Sequence, residues 1–526
     1  MKNFKVCILA AGVGSRMGEV SKHVNKAVLP VNFKAVISHI IEKFNRKIEI
    51  VIAVGHNKET IDEYLELAHP DRKFSFVTVE NYIGPGTGPG YSLLHCKEKL
   101  QCPFIFFAVD TIVLEDIPEP TKNWFGIAPV KDPEKYCTVK IQENLVCQID
   151  DKIKTNNKFA FIGLAGINDY KVFFDALERN KEPISGEIQV SNGFKALLEK
   201  ELEPVGFTWF DTGSLKNYIE TNKHLSGSES KYDFGKGDEF LYFVNGKVIK
   251  YFENKDIIKQ RCERAELLKD LCPIIEGQTK NFFSYKKLDG QVIYDVLNND
   301  ILKNFLQWAN TKLWKKQKLN KKNHNQFITA CKKFYHDKTM NRLEMFYNKT
   351  GLSDTEHKIN GIMTPSLKHM FSFVDWENLF QGVPVTIHGD LQFDNILVSR
   401  DEKSQLDKFI LLDWRQDFGG LINVGDLYYD LAKLYGGMTI SYQLIKKGEF
   451  SFDMSGSSIF YSFLVKNDLI DAKEMYQQFI KSNSYDLRRI KILTSLIFLN
   501  MSPLHQDPFD HLVYFLGKKM LFETVI

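Results

Sequence analysis

Apolar runs alternate with helically spaced segments through the first 225 residues of the chain. FKVCILAA (4–11) and IEIVIAVG (48–55) are largely apolar, the pattern of buried strands, and KFSFVTVE (73–80) and CPFIFFAVD (102–110) read as further strands. Between them, AVISHIIEKFNR (35–46), KETIDEYLELA (58–68) and GYSLLHCKEKL (90–100) carry apolar residues at helical spacing. Strands alternating with helices predict a parallel sheet with helices on both sides. In such sheets ligands bind beyond the carboxyl ends of the strands.

The pattern breaks at 226–239, SGSESKYDFGKGDE, which is polar and rich in Gly and Ser and reads as a linker. FLYFVNGKVIKYF (240–252) follows, with two β-rich runs around Asn245-Gly246, a type I′ hairpin signal. NKDIIKQRCERAELLKDL predicts a helix, and from about residue 300 the pattern is mainly helical with one strand-like island at 385–415. The expected division is a domain at 1–227, a linker at 228–239 and a second domain at 240–526, of which 240–300 forms a smaller lobe and 301–526 a helical one.

Length and composition narrow the classes. A chain of 526 residues is too long for one core. A formal charge of +3 gives no ground for nucleic-acid or membrane binding. The basic run KLWKKQKLNKKNH (312–324) reads as a solvated helix end or loop. The eight cysteines form no C-x-x-C pair and read as reduced thiols. No apolar run reaches the roughly 20 residues of a membrane span, and the first strand is too short for a signal peptide. A cytoplasmic location is expected, with a second copy of the chain as the only macromolecular partner considered.

The first strand runs into LAAGVGSRMG (9–18). Gly12 and Gly14 permit a tight turn whose amides can cradle phosphate oxygens, and Arg16 offers a guanidinium to the same group. SKHVNKAVLPV brings Lys26 to that edge, GPGTGPG (84–90) is a second glycine-rich loop, and Asp110 and Asp211 each close a strand. Carboxylates at buried strand ends are costly unless a cation meets them, which points to Mg²⁺. This set resembles the nucleotidyltransferase family that includes sugar-1-phosphate nucleotidylyltransferases and phosphocholine cytidylyltransferases. The resemblance implies a Rossmann-like α/β domain. It implies that Leu9, Ala11, Gly12, Gly14 and Ser15 contact a nucleoside triphosphate and that Arg16 and Lys26 are catalytic. Asp110 and Asp211 hold Mg²⁺, Gly86 and Thr87 face the base, and Glu187 reaches the substrate. Val109, Asn25 and Ala11 depart from the family pattern, which carries glycine, proline and a second glycine there in many relatives. Ala11 disfavours guanylyl transfer and leaves CTP, UTP and dTTP open.

A second constellation lies in TIHGDLQFDNILV and FILLDWRQDFGG. His388, Asp390 and Asn395 have the spacing H-x-D-x-x-x-x-N, and Asp413 ends the next apolar strand. An Asp that takes a hydroxyl proton, with an Asn and a further Asp on Mg²⁺, suits phosphoryl transfer. The segment resembles the choline kinase and aminoglycoside phosphotransferase family, relatives of protein kinases with an α+β fold. The resemblance implies Asp390 as catalytic base, Asn395 and Asp413 as metal ligands, and His388 as support for the loop. It implies that Lys250, with Lys247 as its rival, pairs with ATP phosphates and is oriented by Glu263 or Glu266. FFSYKKLDG (282–290) would lie at the adenine hinge. No G-x-G-x-x-G loop is present.

Together the halves imply a bifunctional Mg²⁺-dependent enzyme. It would phosphorylate a small hydroxyl compound with ATP and then couple the ester to a second nucleoside triphosphate, CTP or UTP favoured. The product would be an activated precursor for capsule, other surface glycan or lipid. The alternatives are a choline or ethanolamine kinase fused to a cytidylyltransferase, or a chain with one active domain. An aromatic cage for choline would draw on Trp414, Tyr428, Tyr429, Asp417 and Asp426. Arg415, two residues from Asp413, instead favours a sugar hydroxyl or a carboxylate if it points inward, and is inert if it pairs with Asp417 or Asp426.

Overall fold

The structure is a computed structural model that describes residues 4–184, 186–226, 237–400 and 407–526. Most of the expected linker, 228–236, lies outside the described residues, as does residue 227 before it. The chain divides into two compact units. The first holds the described residues up to 226 with 237–254 and 277–284; the second holds 255–276 and the described residues from 285 onward.

The first unit is built on β1 (Lys5–Ala10), β2 (Ile50–Val54), β3 (Phe74–Thr78) and β4 (Phe104–Ala108), all parallel, in the order β3-β2-β1-β4. Period-two alternation sends Val6, Ile8 and Ala10 into one core and Cys7 and Ala11 into the other, so both faces of β1 are buried. The short strand β5 (Thr111–Val113) leaves this sheet. Strands β6 (Trp124–Pro129), β7 (Cys137–Gln142), β8 (Leu145–Asp151) and β9 (Phe159–Ile167) extend it, with β9 antiparallel to β4. The parallel reading therefore holds for one side of the sheet, and an antiparallel wing completes it. Strand β10 (Glu203–Gly206) pairs with β6, and β11 (Trp209–Asp211) pairs antiparallel with β5, Asp211 opposite Thr111.

Helix α1 (Lys58–Ala68) occupies the segment its apolar spacing predicts, and α2 (Leu215–Ser226) follows β11. The hairpin β12 (Glu239–Val244) and β13 (Lys247–Phe252) turns at Asn245 and Gly246, both at positive φ, +49° and +72°. Its apolar face does not open a separate core. Tyr242, Val244, Ile249 and Tyr251 join the core that contains Ile61, Tyr64 and Leu65 of α1. Asn245 donates to the Ala68 carbonyl at 2.8 Å, and the Tyr242 hydroxyl to that of Val28 at 2.8 Å. The boundary expected at 239 thus differs from the packing, because these strands bury their side chains in the first unit.

Helix α3 (Lys255–Leu267) begins the second unit. Strands β14 (Ile275–Gln278) and β15 (Phe282–Lys286) complete a four-stranded sheet with the hairpin. Beyond them the chain is mainly helical. Helix α4 (Lys321–Lys332) passes through a π-helical turn, Lys333–Asp337, into α5 (Lys338–Thr350). The strand island appears as β16 (Ile396–Arg400) and β17 (Asp407–Leu411), and α6 (Leu427–Gly437) is buried along its length. The sequence pattern gave no sign of a second small sheet, formed by 357–359, 362–364, 450–455 and 458–463. The cysteines among the described residues are all free, and no described helix is long and apolar enough to cross a membrane.

Candidate active sites

In the first unit β1 ends in Leu9 and Ala10, Ala11 follows, and the chain turns through Gly12 to Gly14, which adopts φ +69°. A short helical turn starting at Ser15 carries Arg16. Asn25 then fixes the return. Fully buried, it donates to the Ala10 carbonyl at 2.9 Å and the His56 carbonyl at 2.7 Å, and accepts from the Ala27 amide at 2.9 Å. It thereby ties the Lys26 segment to the ends of β1 and β2. The Lys26 ammonium lies 2.7 Å from Asp110 Oδ2.

Pairing of β5 with β11 brings the second carboxylate across. The Thr212 amide donates to the Asp110 carbonyl at 2.8 Å. Asp211 accepts from the Gly213 amide at 2.7 Å and from Asn217 Nδ2, on α2, at 2.6 Å. A Cβ at Gly213 would stand 2.9 Å from Asp211 Oδ1, 3.0 Å from Asp110 Oδ2 and 3.2 Å from Arg16 Nη2. The absent side chain leaves a cradle on which two carboxylates and a guanidinium converge. Hard carboxylate oxygens around a small space fit Mg²⁺.

The electrostatics agree. Burial would raise the Asp110 carboxyl, but the charge and hydrogen bond of Lys26 and the charge of Arg16 outweigh it, so it lies below the usual range. Asp211 has no lysine; burial and the neighbouring Asp110 raise its carboxyl. The pair carries the excess negative charge that a divalent cation relieves. Tyr136 packs edge-on against Trp209 at 5.6 Å, and burial and the Asp211 charge raise its hydroxyl, which puts an aromatic wall beside the cradle.

Gly86, Thr87 and Glu187 form a separate cluster. The Gly86 amide donates to the Gly186 carbonyl at 2.9 Å, and the Ile188 amide to that of Thr87 at 2.8 Å. At Gly88 any Cβ would meet that of Glu187 at 2.8 Å. Glu187 accepts from Gln189 at 2.8 Å and lies 3.8 Å from Lys152. Among the described residues no hydrogen bond or ion pair joins this cluster to Arg16, Lys26, Asp110 or Asp211.

In the second unit His388 organises the loop before β16. Its Nε2 donates to the Leu412 carbonyl at 2.8 Å, and its Nδ1 accepts from the Asp390 amide at 3.2 Å. Burial pushes the imidazole down to about 4, so it is neutral near pH 7. Fully buried Asp430, on α6, accepts from the His388 and Gly389 amides at 2.9 and 2.8 Å and from the Trp314 indole at 3.2 Å. Asn395 Nδ2 donates to the Asp390 carbonyl at 2.8 Å. Asp390 Oδ1 lies 2.6 Å from the Lys433 ammonium, also on α6. Burial raises the Asp390 carboxyl, but Lys433 outweighs it and holds it below the usual range. Asp413, at φ +58°, pairs with Arg261 of α3. Its charge also bears on Asp390, so the two aspartates are neighbours. A pair of aspartates with an adjacent Asn amide oxygen fits Mg²⁺.

One expectation and one alternative are corrected. Glu263 and Glu266 are exposed, and Glu263 lies 4.0 Å from Lys259; the inward side chain of α3 is Arg264, bonded to the Ile387 carbonyl. A polar helix with little amphipathic contrast gave no means of choosing its inner face. Neither does the aromatic cage assemble. Trp414 is buried and donates to the Arg261 carbonyl at 2.7 Å, and Tyr428 lies under Arg489 at 4.5 Å. Asp426 is buried against Arg489 and the Tyr335 hydroxyl. Lys250 is buried on the face of β13 opposite Ile249 and Tyr251, while Lys247 donates to the Leu67 carbonyl at 3.3 Å.

Sequence reasoning missed Asn217, Tyr136, Lys433 and Arg261. Lys433 alone carried a signal, lying one helical turn from Asp430 and Tyr429 in a segment already singled out.

Comparison with known proteins finds a match within each unit. Residues 6–117 match the MobA-like NTP transferase domain, and residues 302–435 match the ecdysteroid kinase-like family. The bifunctional protein GlmU of Methanocaldococcus jannaschii is 30% identical over 251 residues, 46% of this chain and 59% of that protein. The chain thus spans only about three-fifths of that relative's length. D-glycero-alpha-D-manno-heptose 1-phosphate guanylyltransferase of Campylobacter jejuni is 24% identical over 151 residues, 28% of this chain and 67% of that protein. The solved CTP:phosphocholine cytidylyltransferase of Streptococcus pneumoniae is 20% identical, covering 43% of this chain and 100% of its own, with a TM-score of 0.36. The chain thus carries a stretch similar to the MobA-like NTP transferase domain, with GlmU relatives, and a second stretch similar to the ecdysteroid kinase-like family.

Proposed function

We propose that the protein activates a small hydroxyl compound in two steps, one in each unit. In the second unit the acceptor hydroxyl attacks the γ-phosphorus of ATP, its proton passes to Asp390, and ADP leaves. In the first unit an oxygen of the new phosphate ester attacks the α-phosphorus of a second nucleoside triphosphate in line, and pyrophosphate leaves. The order follows from chemistry, because only a phosphate ester can perform the second attack.

The observation that carries this reading is the convergence of Arg16, Asp110 and Asp211 on the space beside Gly213, with Lys26 on Asp110. Arg16 holds the outer phosphates, and Lys26 neutralises charge that grows on the α-phosphate. The Gly12–Ser15 turn presents backbone amides to the same oxygens. In the second unit Lys433 keeps Asp390 ionised, and Asn395 and Asp413 hold the cation side of ATP. Bound at both sites, Mg²⁺ supplies charge neutralisation of the phosphate oxygens.

CTP or UTP is the favoured second nucleotide, and the conjugate serves as a precursor for capsule, other surface glycan or lipid. Mass spectrometry of products made from ATP, the four other nucleoside triphosphates, Mg²⁺ and a pool of sugars, polyols, hydroxy acids and amino alcohols tests the reading. A nucleoside-diphosphate conjugate is the expected product. Phosphate ester without conjugate in every nucleotide mixture would refute the second step.

A further inference from the structure

Beside the Asp390 loop of the second unit, three basic side chains have no carboxylate of their own among the described residues: a Cβ at Gly389, the residue before Asp390, would stand 2.8 Å from that of Arg415. Lys338 and Arg415 both lie over the ring of Phe334, at 4.4 and 4.9 Å. Phe334 belongs to the π-helical turn between α4 and α5, a distortion that recurs at functional sites. Arg342 stands one turn beyond Lys338 on α5, close enough to Arg415 that burial and the Arg415 charge lower its guanidinium. Among the described residues none of the three has an ion-pair partner, and the buried Nε of Arg415 has no hydrogen-bond acceptor. The carboxylates nearby are engaged: Asp390 with Lys433, Asp413 with Arg261, and Asp417 with the Gly420 amide at 2.7 Å.

The cluster opens on the reacting group. Burial and the charges of Arg415, Lys433 and Arg342 push the Lys338 ammonium down to about 6, while Asp390 pulls it back. Lys338 and Arg415 share the Phe334 ring, Arg415 packs on Gly389 beside Asp390, and Lys433 meets the Asp390 carboxylate. Near pH 7 Arg415 and Arg342 carry the charge of the empty cluster, Lys433 being paired with Asp390, and an oxyanion that joins them draws a proton back onto Lys338. Gathering like charges in a part-buried pocket is unfavourable unless an anion completes it. A quaternary or primary amine would be repelled from it.

We propose that the acceptor phosphorylated by the second unit is an alcohol that carries an oxyanion, a carboxylate or a phosphate, held by Arg415, Arg342 and Lys338 while its hydroxyl faces Asp390. This rests on the reading of the second unit as a kinase. Arg415 supplies a planar fork that matches two oxyanion oxygens, and its own amide is fixed at 3.1 Å to the carbonyl of His388, two residues before Asp390 in the same loop. The geometry so assigns Arg415 to the acceptor and makes it a specificity determinant.

The experiment compares alcohols that share a skeleton and differ in charge. The full-length protein receives Mg²⁺-ATP with glycerate, glycerol, choline or glycerol 3-phosphate, and with glucuronate, glucose or glucosamine. ADP release and product mass are read, and isothermal titration onto protein loaded with a non-hydrolysable ATP analogue reads binding. An oxyanion alcohol should exceed its neutral and cationic counterparts in kcat/KM by about tenfold or more. Preference for glycerate and glucuronate identifies a carboxylate, and preference for glycerol 3-phosphate a phosphate. Arg415→Gln and Lys338→Met should each raise the acceptor KM about tenfold with little change in the KM for ATP, and Arg415→Lys should recover part of the loss. Preference for glycerol, glucose, choline or glucosamine would overturn the proposal and leave the kinase standing. Higher KM for ATP in both variants would also overturn it, by assigning the cations to the nucleotide. Oxyanion binding that Arg415→Gln abolishes, without any phosphorylation, would support the pocket and refute the kinase.

Discussion

Lys433 meets Asp390 at 2.6 Å, from the middle of a buried helix to the loop that carries the candidate base. The contact keeps a buried carboxylate ionised and aimed. Lys433→Met should lower ATP-dependent phosphorylation by about a hundredfold or more, because the buried Asp390 then loses its main counter-charge. Pyrophosphate release from a supplied phosphate ester should stay at its original rate. Parallel assays of ADP and pyrophosphate check both halves of this statement.

The two reactions should separate cleanly. Asp110→Asn removes one carboxylate from the cradle and should cut pyrophosphate release by about a thousandfold, with the phosphate ester accumulating. Asp390→Asn should abolish the ester and leave nucleotidyl transfer from added ester intact. Loss of both activities in either variant would contradict two independent sites.

Gly213 offers a test that keeps every charged group. Its Cβ would stand 2.9 and 3.0 Å from the oxygens of Asp211 and Asp110. Gly213→Ala should therefore raise the Mg²⁺ concentration needed for half-maximal pyrophosphate release by about tenfold or more. Thermal unfolding should change little, since the added methyl enters the cradle rather than the core.

Asn25 stands where many nucleotidyltransferases carry proline. Its side chain serves two buried carbonyls and one amide. Asn25→Ala should cost about 2–4 kcal/mol of stability, the sum of the unsatisfied groups left behind. Asn25→Asp should be no better, because a carboxylate cannot donate to those carbonyls. Denaturant melts of the full chain measure the loss, and a displaced Lys26 should appear as a higher KM for the nucleoside triphosphate.

Asp430 gives a pH signature. Burial raises its carboxyl to about 6 despite the His388 and Gly389 amides. A raised folded value means that the proton binds the folded state more tightly. Its stabilising effect is complete below the unfolded value near 3.8 and disappears as pH rises through about 6. Over that window the group contributes about 3 kcal/mol in favour of the acidic end. Asp430→Asn should flatten the stability profile between pH 4 and pH 6 relative to the parent protein, read by thermal melts across that range.

Much of the first unit was legible because its chemistry sits at strand ends. Apolar runs buried on both faces announce themselves, and Asp110 and Asp211 are charges where such runs stop. The pairing that joins them, Asp211 across from Thr111, was not legible, because two three-residue strands carry no periodicity. In the second unit the spacing of Asp390 and Asn395 was readable as a local motif. Lys433, Arg342 and Lys338 reach the same place from helices distant in sequence, and nothing local marks a lysine that will be buried. The hairpin shows the limit most plainly. Each face of β13 carries apolar residues, Val248 and Phe252 around Lys250 on one and Ile249 and Tyr251 on the other, so the pattern predicts burial without saying in which core.

That allegiance bears on how such a gene can change. A crossover in the polar stretch before β12, the natural place to exchange one catalytic half for another, would strip Tyr242, Ile249 and Tyr251 from α1 and leave Tyr64 facing water. A donor half would have to arrive with strands already shaped to that helix. Descent by shuffling is thus restricted at this seam, and the two halves are bound to be inherited as one.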